Sequence, residues 1–198
     1  MEVKMIIGIP IKNFEEAYTR LEHILSPEER SALSKALLNN IVDSFKGLNT
    51  DIYLITKDKE VNRFAKKLNI SAYTSKVMGL SKEVQNFLDD KYDRNTPWCI
   101  IHSDLPYVNR FNAKQLLNEI ANNELLASRS EDNGTPIIGG TKKMNRFHYG
   151  KNSFSLHQKE AIKINALLHI IFSKELSFEI DTEKNYSDFK ENTPNWYT

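Results

Sequence analysis

Short apolar runs alternate with segments of helical periodicity along the first two thirds of the chain. Continuous apolar or β-branched runs at residues 5–11, 51–56 and 98–101 predict buried strands, and residues 69–74 and 125–128 predict two shorter ones. A regular succession of strand and helix favours a parallel sheet with helices on both faces. The pattern therefore predicts a three-layer α/β domain with a mostly parallel sheet.

The clearest helix signal begins at Ser26. Ser26 is the expected N-cap, Pro27 occupies the first helical position, and Glu29 completes a capping box. Four apolar residues then follow at intervals of four and predict one buried face: Leu33, Leu37, Ile41 and Phe45. Further helices are predicted near residues 61–68, 80–88, 112–120 (capped by Asn112) and 153–168 (capped by Ser153).

The regular alternation ends after the fourth long strand. Four of the seven glycines lie within residues 130–150, which predicts an inserted or antiparallel portion there. Residues 176–180 predict a final strand that delivers Asp181 at its end. We interpret residues 1–191 as a single domain and residues 192–198 as a C-terminal tail.

Composition narrows the choice of protein class. A chain of 198 residues with 40% hydrophobic residues suits one domain with a substantial core, and 27 basic against 26 acidic residues leave a net charge of +1. This balance gives no electrostatic footprint for nucleic acid or an anionic membrane. The single cysteine, Cys99, indicates a reducing compartment, and neither a secretory signal nor a membrane-length apolar run is present. We expect a cytoplasmic protein.

The apolar run at residues 98–101 ends abruptly in His102, Ser103 and Asp104, followed by Leu105 and Pro106. In an open parallel sheet, ligands bind in the crevice beyond the carboxyl ends of the strands. A carboxylate at that position could hold a cation against phosphate oxygens. The alternative is that Asp104 only caps a turn, which is ordinary chemistry for an aspartate before Leu-Pro.

Three further stretches could contribute to the same site. Glu179 and Asp181 lie two residues apart on a predicted strand, so their carboxylates would face one side, unless they are only a solvated strand end. Residues 132–135, DNGT, could approach an anion or form a hairpin turn. Residues 150–153 begin a predicted helix whose N-terminus could bind a carboxylate or phosphate, or could be merely capped.

Histidines contribute weaker signals. His157, one turn into the predicted helix, is interpreted as a packing or capping residue, and His102 could contact a ligand. The five histidines show no metal-ligand spacing, and no P-loop, G-x-G-x-x-G or G-x-S-x-G motif is present.

Together these motifs resemble the small guanylyltransferases of deazaflavin coenzyme biosynthesis, which act on 2-phospho-L-lactate, phosphoenolpyruvate or 3-phospho-D-glycerate. The resemblance runs nearly from end to end. It is carried by IPIKNF, TRLEHILSPEERSALSKALL, GLSKEV, HSDLPYVN, GKNSFSLHQKEA and FEIDT. That family has a nucleotide-diphospho-sugar-transferase-like (GT-A-like) α/β fold, which the resemblance implies for this chain.

The resemblance also implies individual roles. The carboxylates that would bind Mg²⁺ are Asp104, Glu179 and Asp181. The residues that would hold the carboxylate of the phospho-acid are Thr135, Gly150 and Ser153. The residues near the guanine would be Gly79, Leu80 and Ser81. The cations that would face the phosphates of GTP, and would share the catalysis with Asp104, are Lys12 and Arg20.

The implied reaction is attack of the acid's phosphate oxygen on the α-phosphorus of GTP, with release of pyrophosphate. Its partners would be GTP, a small phospho-carboxylic acid and the enzyme that consumes the product; a homodimer is compatible with it.

Three positions depart from the family pattern: Tyr18 replaces a lysine, Pro136 an asparagine and Glu179 an aspartate. The alternatives are a same-fold nucleotidyltransferase with another base or acceptor, a non-catalytic nucleotide-binding protein, or a metal-dependent glycosyltransferase.

Overall fold

Seven strands form one mixed sheet in the computed structural model, which describes residues 4–94 and 96–197. Across the sheet the order is β3 (Ser71–Tyr73), β2 (Thr50–Ile55), β1 (Met5–Pro10), β4 (Trp98–Ile101), β6 (Ile137–Gly140), β5 (Leu125–Ser128) and β7 (Leu168–Ile171). β6 is antiparallel to both neighbours, and the other neighbouring pairs are parallel. The predicted parallel sheet with an antiparallel portion after β4 is confirmed.

Helices cover both faces of the sheet. The six α-helices are α1 (Pro27–Phe45), α2 (Lys59–Lys67), α3 (Leu80–Lys91), α4 (Arg110–Asn122), α5 (Ser153–Lys163) and α6 (Glu183–Glu191). One core cluster joins Ile7 and Ile9 of β1 to α1, α2 and α4, whereas Ile6 belongs to a second cluster with α3 and α5. This alternation along one strand produces the three predicted layers.

The start of α1 follows the predicted capping box. Ser26 Oγ accepts the Glu29 N–H at 3.2 Å, and Glu29 Oε2 accepts the Ser26 N–H at 2.8 Å. The four predicted apolar positions of this helix are all buried. The capping box therefore satisfies the N–H of Glu29, one of the donors that a helix start leaves unpaired, and the N–H of the cap residue Ser26.

The caps of α4 and α5 differ from the prediction. Asn109, and not Asn112, is the N-cap of α4: its Oδ1 accepts the Asn112 N–H at 3.1 Å, while Asn112 Oδ1 accepts the Asn109 N–H at 2.9 Å. In α5, Asn152 occupies the cap position and Ser153 is the first helical residue. α5 ends at Lys163, before the predicted end, and Asn165 follows in a left-handed conformation.

The predicted final strand at residues 176–180 is wrong. The last strand is β7, which pairs parallel to β5 and fills that edge of the sheet. Residues 178–181 belong to no strand; they cross the carboxyl end of β4, where the Ile180 N–H donates to Asp104 O at 3.1 Å. Buried and polar residues alternate here because the segment is extended and the buried Ile180 side chain fixes it. Within the described part of the chain, the segment does not hydrogen-bond to a neighbouring strand as a strand of the sheet would.

The residues that follow α6 pack against the domain. Trp196 Nε1 donates to Pro106 O at 2.9 Å, and the Tyr197 ring lies edge-on to Phe189 with ring centres 5.0 Å apart. Cys99 is buried and unpaired, and burial raises the pKa of its thiol. Within the described segments, no helix combines the length and the apolar character needed to cross a membrane.

Replacing Ser26 with alanine should reduce the free energy of unfolding by about 1 kcal/mol, because the Glu29 N–H loses its acceptor. Chemical denaturation measures this change. Ser31→Ala, a matched substitution inside α1, should stay within about 0.5 kcal/mol of the wild type. Equal losses in the two variants would contradict the capping role.

Candidate active site

The candidate site lies where the order of strands reverses. The chain adds β2 and β3 on one side of β1 and then places β4 on its other side, so β1 and β4 form a topological switch point. Crevices outside the carboxyl ends of such strands bind ligands in open α/β sheets. A cleft of about 200 Å³ opens there and is lined by Lys12, Arg20, Asp104 and Asp181.

A larger groove of about 660 Å³ lies elsewhere, between α1, the turn before α4 and Trp196. None of the predicted site residues lines this groove. Four of those residues, drawn from three separate stretches of the chain, meet in the smaller cleft. The chemistry therefore favours the smaller cleft as the candidate site.

Asp104, Glu179 and His102 form a tight cluster beside this cleft. One ligand atom of each lies within 4.8 Å of the others, and His102 Nδ1 is 2.7 Å from Glu179 Oε1. Asp104 Oδ1 is buried and has no hydrogen-bond partner among the described residues. A buried carboxylate oxygen without a donor indicates a position that a ligand or cation completes.

The electrostatics of the cluster favour the binding of a proton or a cation. Burial and the nearby charge of Glu179 raise the pKa of Asp104 to about 7, although His102 opposes this shift. Burial lowers the pKa of His102, but the hydrogen bond and the charge of Glu179 outweigh burial and leave it raised. Carboxylate oxygens around an unpaired acceptor suit a hard divalent cation.

The three predicted metal ligands are only partly brought together. Asp104 and Glu179 meet as expected. His102 is a third member of the cluster, which the prediction of metal ligands did not name. Asp181 lies at the other side of the cleft, where it forms an ion pair with Arg20. Burial raises the pKa of Asp181 and the Arg20 charge opposes this shift. The Glu179 charge raises it further, so Asp181 lies in the same electrostatic environment as the cluster.

The two predicted phosphate-facing cations line the same cleft and are paired with carboxylates. Lys12 forms an ion pair with Glu16, and Arg20 forms one with Asp181; the two cationic side chains are 81% and 68% exposed. Exposed ion pairs contribute little to stability, so a phosphate could replace either carboxylate partner at small cost. Tyr18 lies in the same segment with a left-handed backbone, φ 53°, and carries no positive charge.

The predicted guanine-facing residues lie at the start of α3. Gly79 has φ 98°, a conformation that favours glycine, and Leu80 is the first helical residue. Ser81 Oγ accepts the N–H of Tyr149 at 2.8 Å. This bond joins the start of α3 to the segment that precedes Gly150, so the predicted nucleotide and acceptor regions are adjacent.

Thr135 and Ser153 form a buried pair next to His157. Thr135 Oγ1 lies 2.9 Å from Ser153 Oγ and 3.0 Å from His157 Nδ1, and the three residues are 1%, 2% and 0% exposed. Gly150 adopts φ 111°, and its carbonyl accepts the Ser153 N–H at 3.1 Å. The structure thus brings together the three residues predicted to bind the acceptor and adds His157.

The DNGT segment is both a hairpin connection and part of the site. It joins β5 to β6, and Asn133 adopts φ 66°. Asn133 O accepts the Phe154 N–H at 3.1 Å, so one of the N–H groups expected to be free at the start of α5 is already bound. A Cβ at Gly134 would lie 3.5 Å from Glu179 Oε2, which places this loop against the carboxylate cluster.

Comparison with solved structures defines the class of fold. A protein from Desulfovibrio desulfuricans described as a nucleotide-diphospho-sugar transferase superimposes with a TM-score of 0.79 at 14% identity, covering 98% of this chain and 89% of that one. A cytidylyltransferase from Leptospira borgpetersenii gives 0.55 at 14% identity, covering 100% and 90%. The fold is that of the nucleotide-diphospho-sugar-transferase-like nucleotidyltransferases.

Sequence comparison defines the family. The family described as "Guanylyl transferase CofC like" matches residues 4–191, and the chain belongs to it. A 2-phospho-L-lactate guanylyltransferase of Methanosphaera stadtmanae is 29% identical over 93% of this chain and 83% of its own length. Another from Methanocaldococcus jannaschii is 28% identical over 94% and 82%. The resemblance inferred from the motifs is confirmed.

In metal-free protein, Asp104→Asn should raise the free energy of unfolding relative to the wild type. This difference should grow as the pH rises from about 4 to 8. Because the folded-state pKa of Asp104 is raised to about 7, the folded protein binds more protons than the unfolded chain in this window, and the wild type loses stability as the pH rises. The change should be on the order of a few kcal/mol.

Denaturant unfolding in the presence of a chelator measures this difference. Asp93→Asn, at an exposed aspartate, is the matched control and should change little with pH. A constant difference between Asp104→Asn and the wild type from pH 4 to 8 would contradict the raised pKa.

Proposed function

We propose that this protein is a guanylyltransferase that joins GMP from GTP to the phosphate of a small phospho-carboxylic acid and releases pyrophosphate. The observation that supports it most is the meeting of Asp104, Asp181, Lys12 and Arg20 in one cleft at the β1/β4 switch point, in a chain of this family. We propose 2-phospho-L-lactate as the first acceptor to test, since the relatives are named for it.

The chemistry asks the protein mainly to align two anions that repel each other. An ionised phosphate oxygen is already a nucleophile, so the reaction needs no general base; catalysis comes from positioning and charge stabilisation. Lys12 and Arg20 would exchange their carboxylate partners for phosphate oxygens of the nucleotide. Such an exchange replaces one screened ion pair with another and brings the substrate to the cleft.

Mg²⁺ is the cofactor we propose, and the residues present fit it. Asp104 supplies a buried oxygen without a partner, and Glu179 supplies a second carboxylate close by. Asp181 could join them after Arg20 turns to phosphate. When bound, the cation would neutralise the charge that builds up on the phosphate oxygens.

Thr135, Ser153 and the backbone of Gly150 are the proposed acceptor site. The pair of hydroxyls is adjacent to the carboxylate cluster, because the Tyr149 ring contacts both His102 and His157, with ring centres 5.3 and 5.4 Å apart. The acceptor's carboxylate would lie on the hydroxyls while its phosphate reaches the cleft. Separate anchoring points for the carboxylate and the phosphate would select an acid that carries both groups.

Pyrophosphate release from GTP and Mg²⁺ should occur with 2-phospho-L-lactate. Phosphoenolpyruvate, 3-phospho-D-glycerate and the other nucleoside triphosphates are run in parallel. Asp104→Asn should reduce turnover by about 10³-fold or more, because the charge stabilisation it supports is worth several kcal/mol. Asp93→Asn should keep wild-type turnover.

Each outcome of that panel has a distinct meaning. Release with another acid would retain the reaction class and replace the acceptor. If no acid supports pyrophosphate release while GTP still binds, the non-catalytic alternative is favoured, for which Tyr18 and Pro136 are the motivating observations. Substantial turnover in Asp104→Asn would remove Asp104 from the catalytic site.

Thr135→Val should raise the KM for the acid by about 10- to 100-fold, because the hydroxyl pair that would donate a hydrogen bond to the acid's carboxylate is broken. The KM for GTP should stay within about twofold, since the nucleotide lies elsewhere in the cleft. Thr141→Val is the matched control: its hydroxyl donates to Asn123 O at 3.1 Å, away from the site. Equal increases in both KM values would place Thr135 outside the acceptor site.

A further inference from the structure

We infer that His157 is a positioning residue which makes the Thr135–Ser153 hydroxyl pair a hydrogen-bond donor to the acceptor's carboxylate. The inference rests on the proposed function, because it takes this pair as the acceptor site. It goes further by assigning a role to a histidine that does not itself touch the acid. It follows from counting donors and acceptors in a buried chain of hydrogen bonds.

The tautomer of His157 is fixed from outside the site. The backbone N–H of His148 can only donate, and it lies 2.9 Å from His157 Nε2. Nε2 must therefore accept, which leaves the proton of the neutral ring on Nδ1. Burial, followed by the nearby His148 and His102, lowers the pKa of His157 to about 3, so that the ring is neutral near pH 7.

The Nδ1 proton then determines the direction of the next bonds. Nδ1 is a donor, so Thr135 Oγ1 accepts from it at 3.0 Å. A hydroxyl that accepts a hydrogen bond becomes a better donor, and this polarisation favours donation from Thr135 to Ser153 Oγ at 2.9 Å. The chain of bonds thus runs from His148 through His157 and Thr135 to Ser153.

One hydroxyl proton remains without an acceptor. The Thr135–Ser153 contact uses one of the two hydroxyl protons, and His157 cannot accept the other because Nδ1 already carries a proton. Among the described residues, Ser153 Oγ has no hydrogen-bond partner other than Thr135. A buried donor left unpaired is costly, and an anion that accepts this proton removes the cost.

The location of this free donor matches an anion site. Ser153 begins α5, whose N-terminal end carries a partial positive charge, and Gly150 beside it leaves open space where a Cβ would lie. A carboxylate there would accept a hydrogen bond from the Ser153 hydroxyl. Preorganised donors of this kind bind an anion more tightly than hydroxyls that must first reorient.

Two substitutions of His157 separate this role from a structural one. In His157→Asn the amide nitrogen can occupy the Nδ1 position and donate to Thr135, whereas the acceptor for the His148 N–H is lost. In His157→Gln the side-chain oxygen can replace Nε2 as that acceptor, whereas the donor to Thr135 is lost. The two variants thus each keep one of the two hydrogen bonds.

Initial rates with 2-phospho-L-lactate and GTP should distinguish the two variants. His157→Gln should raise the KM for the acid about tenfold and leave the KM for GTP within twofold, while His157→Asn should remain within about threefold for both. A smaller rise for glutamine than for asparagine, or equal rises for both substrates, would overturn the inference.

A double-mutant cycle with Ser153→Ala tests whether His157 acts through Ser153. Once the terminal hydroxyl is absent, His157→Gln should add less than about twofold to the KM for the acid, because residues in one hydrogen-bond chain are not additive. Independent, multiplicative effects would overturn the inference.

The tautomer can be measured without any activity, which separates failure of this inference from failure of the proposed function. The ¹⁵N chemical shifts of the imidazole in the wild-type protein should show a neutral ring protonated at Nδ1. A ring protonated at Nε2, or charged at pH 7, would overturn the inference. Absence of turnover with this tautomer present would instead count against the proposed function alone.

Discussion

The close approach of two half-buried carboxylates at the carboxyl end of β4 is the constraint on which the site depends. Asp104 and Glu179 lie together with His102 inside 4.8 Å, and burial and mutual repulsion raise the pKa of Asp104 to about 7. Water would stabilise these charges if they were exposed. Here the contact between His102 and Glu179 compensates them only partly, since Asp104 Oδ1 keeps no partner among the described residues. The site is therefore arranged to take up positive charge, which is what a reaction between two phosphate-bearing anions requires.

The fold supplies this arrangement from segments that are far apart in the chain. β4 delivers Asp104, and residues 178–181 cross its end through the bond from Ile180 N–H to Asp104 O. The antiparallel strand β6 reverses the direction of the chain, so that the loop before it, with Gly134 and Thr135, faces the same edge as the ends of the parallel strands. α5 then closes this side through the bond from Phe154 N–H to Asn133 O. One antiparallel strand thus places the proposed acceptor site beside the proposed nucleotide cleft.

Local sequence patterns predicted most of the helices and strands. They failed where contacts between distant parts of the chain determine the structure. The capping box at Ser26 and the apolar runs of β1 to β5 carry their signal within a few residues, and the structure confirms them. Residues 176–180 have a strand-like pattern. A segment becomes part of a sheet only when it pairs with a neighbouring strand, and β7 occupies the edge position beside β5 instead. Thr135, Gly150 and Ser153 could be named from the resemblance. His157 could not be assigned its role, because the His148 N–H that fixes its tautomer shows no signal in the sequence.

Two of the three departures from the family pattern lie beside His102. Glu179 and Pro136 both contact His102: Glu179 Oε1 lies 2.7 Å from Nδ1, and Pro136 O accepts the His102 N–H at 2.9 Å. Pro136 lies just before β6, where a ladder ends and a missing N–H breaks no bond of the strand. The Pro136 contact is made by its backbone carbonyl, whereas Glu179 uses its longer side chain to pair with His102 and keeps a carboxylate beside Asp104. Tyr18 differs, since it lines the cleft without a positive charge of its own, and burial, followed by the nearby carboxylates, raises its pKa. The demand for positive charge in this cleft consequently falls on Lys12, Arg20 and whatever cation Asp104 receives.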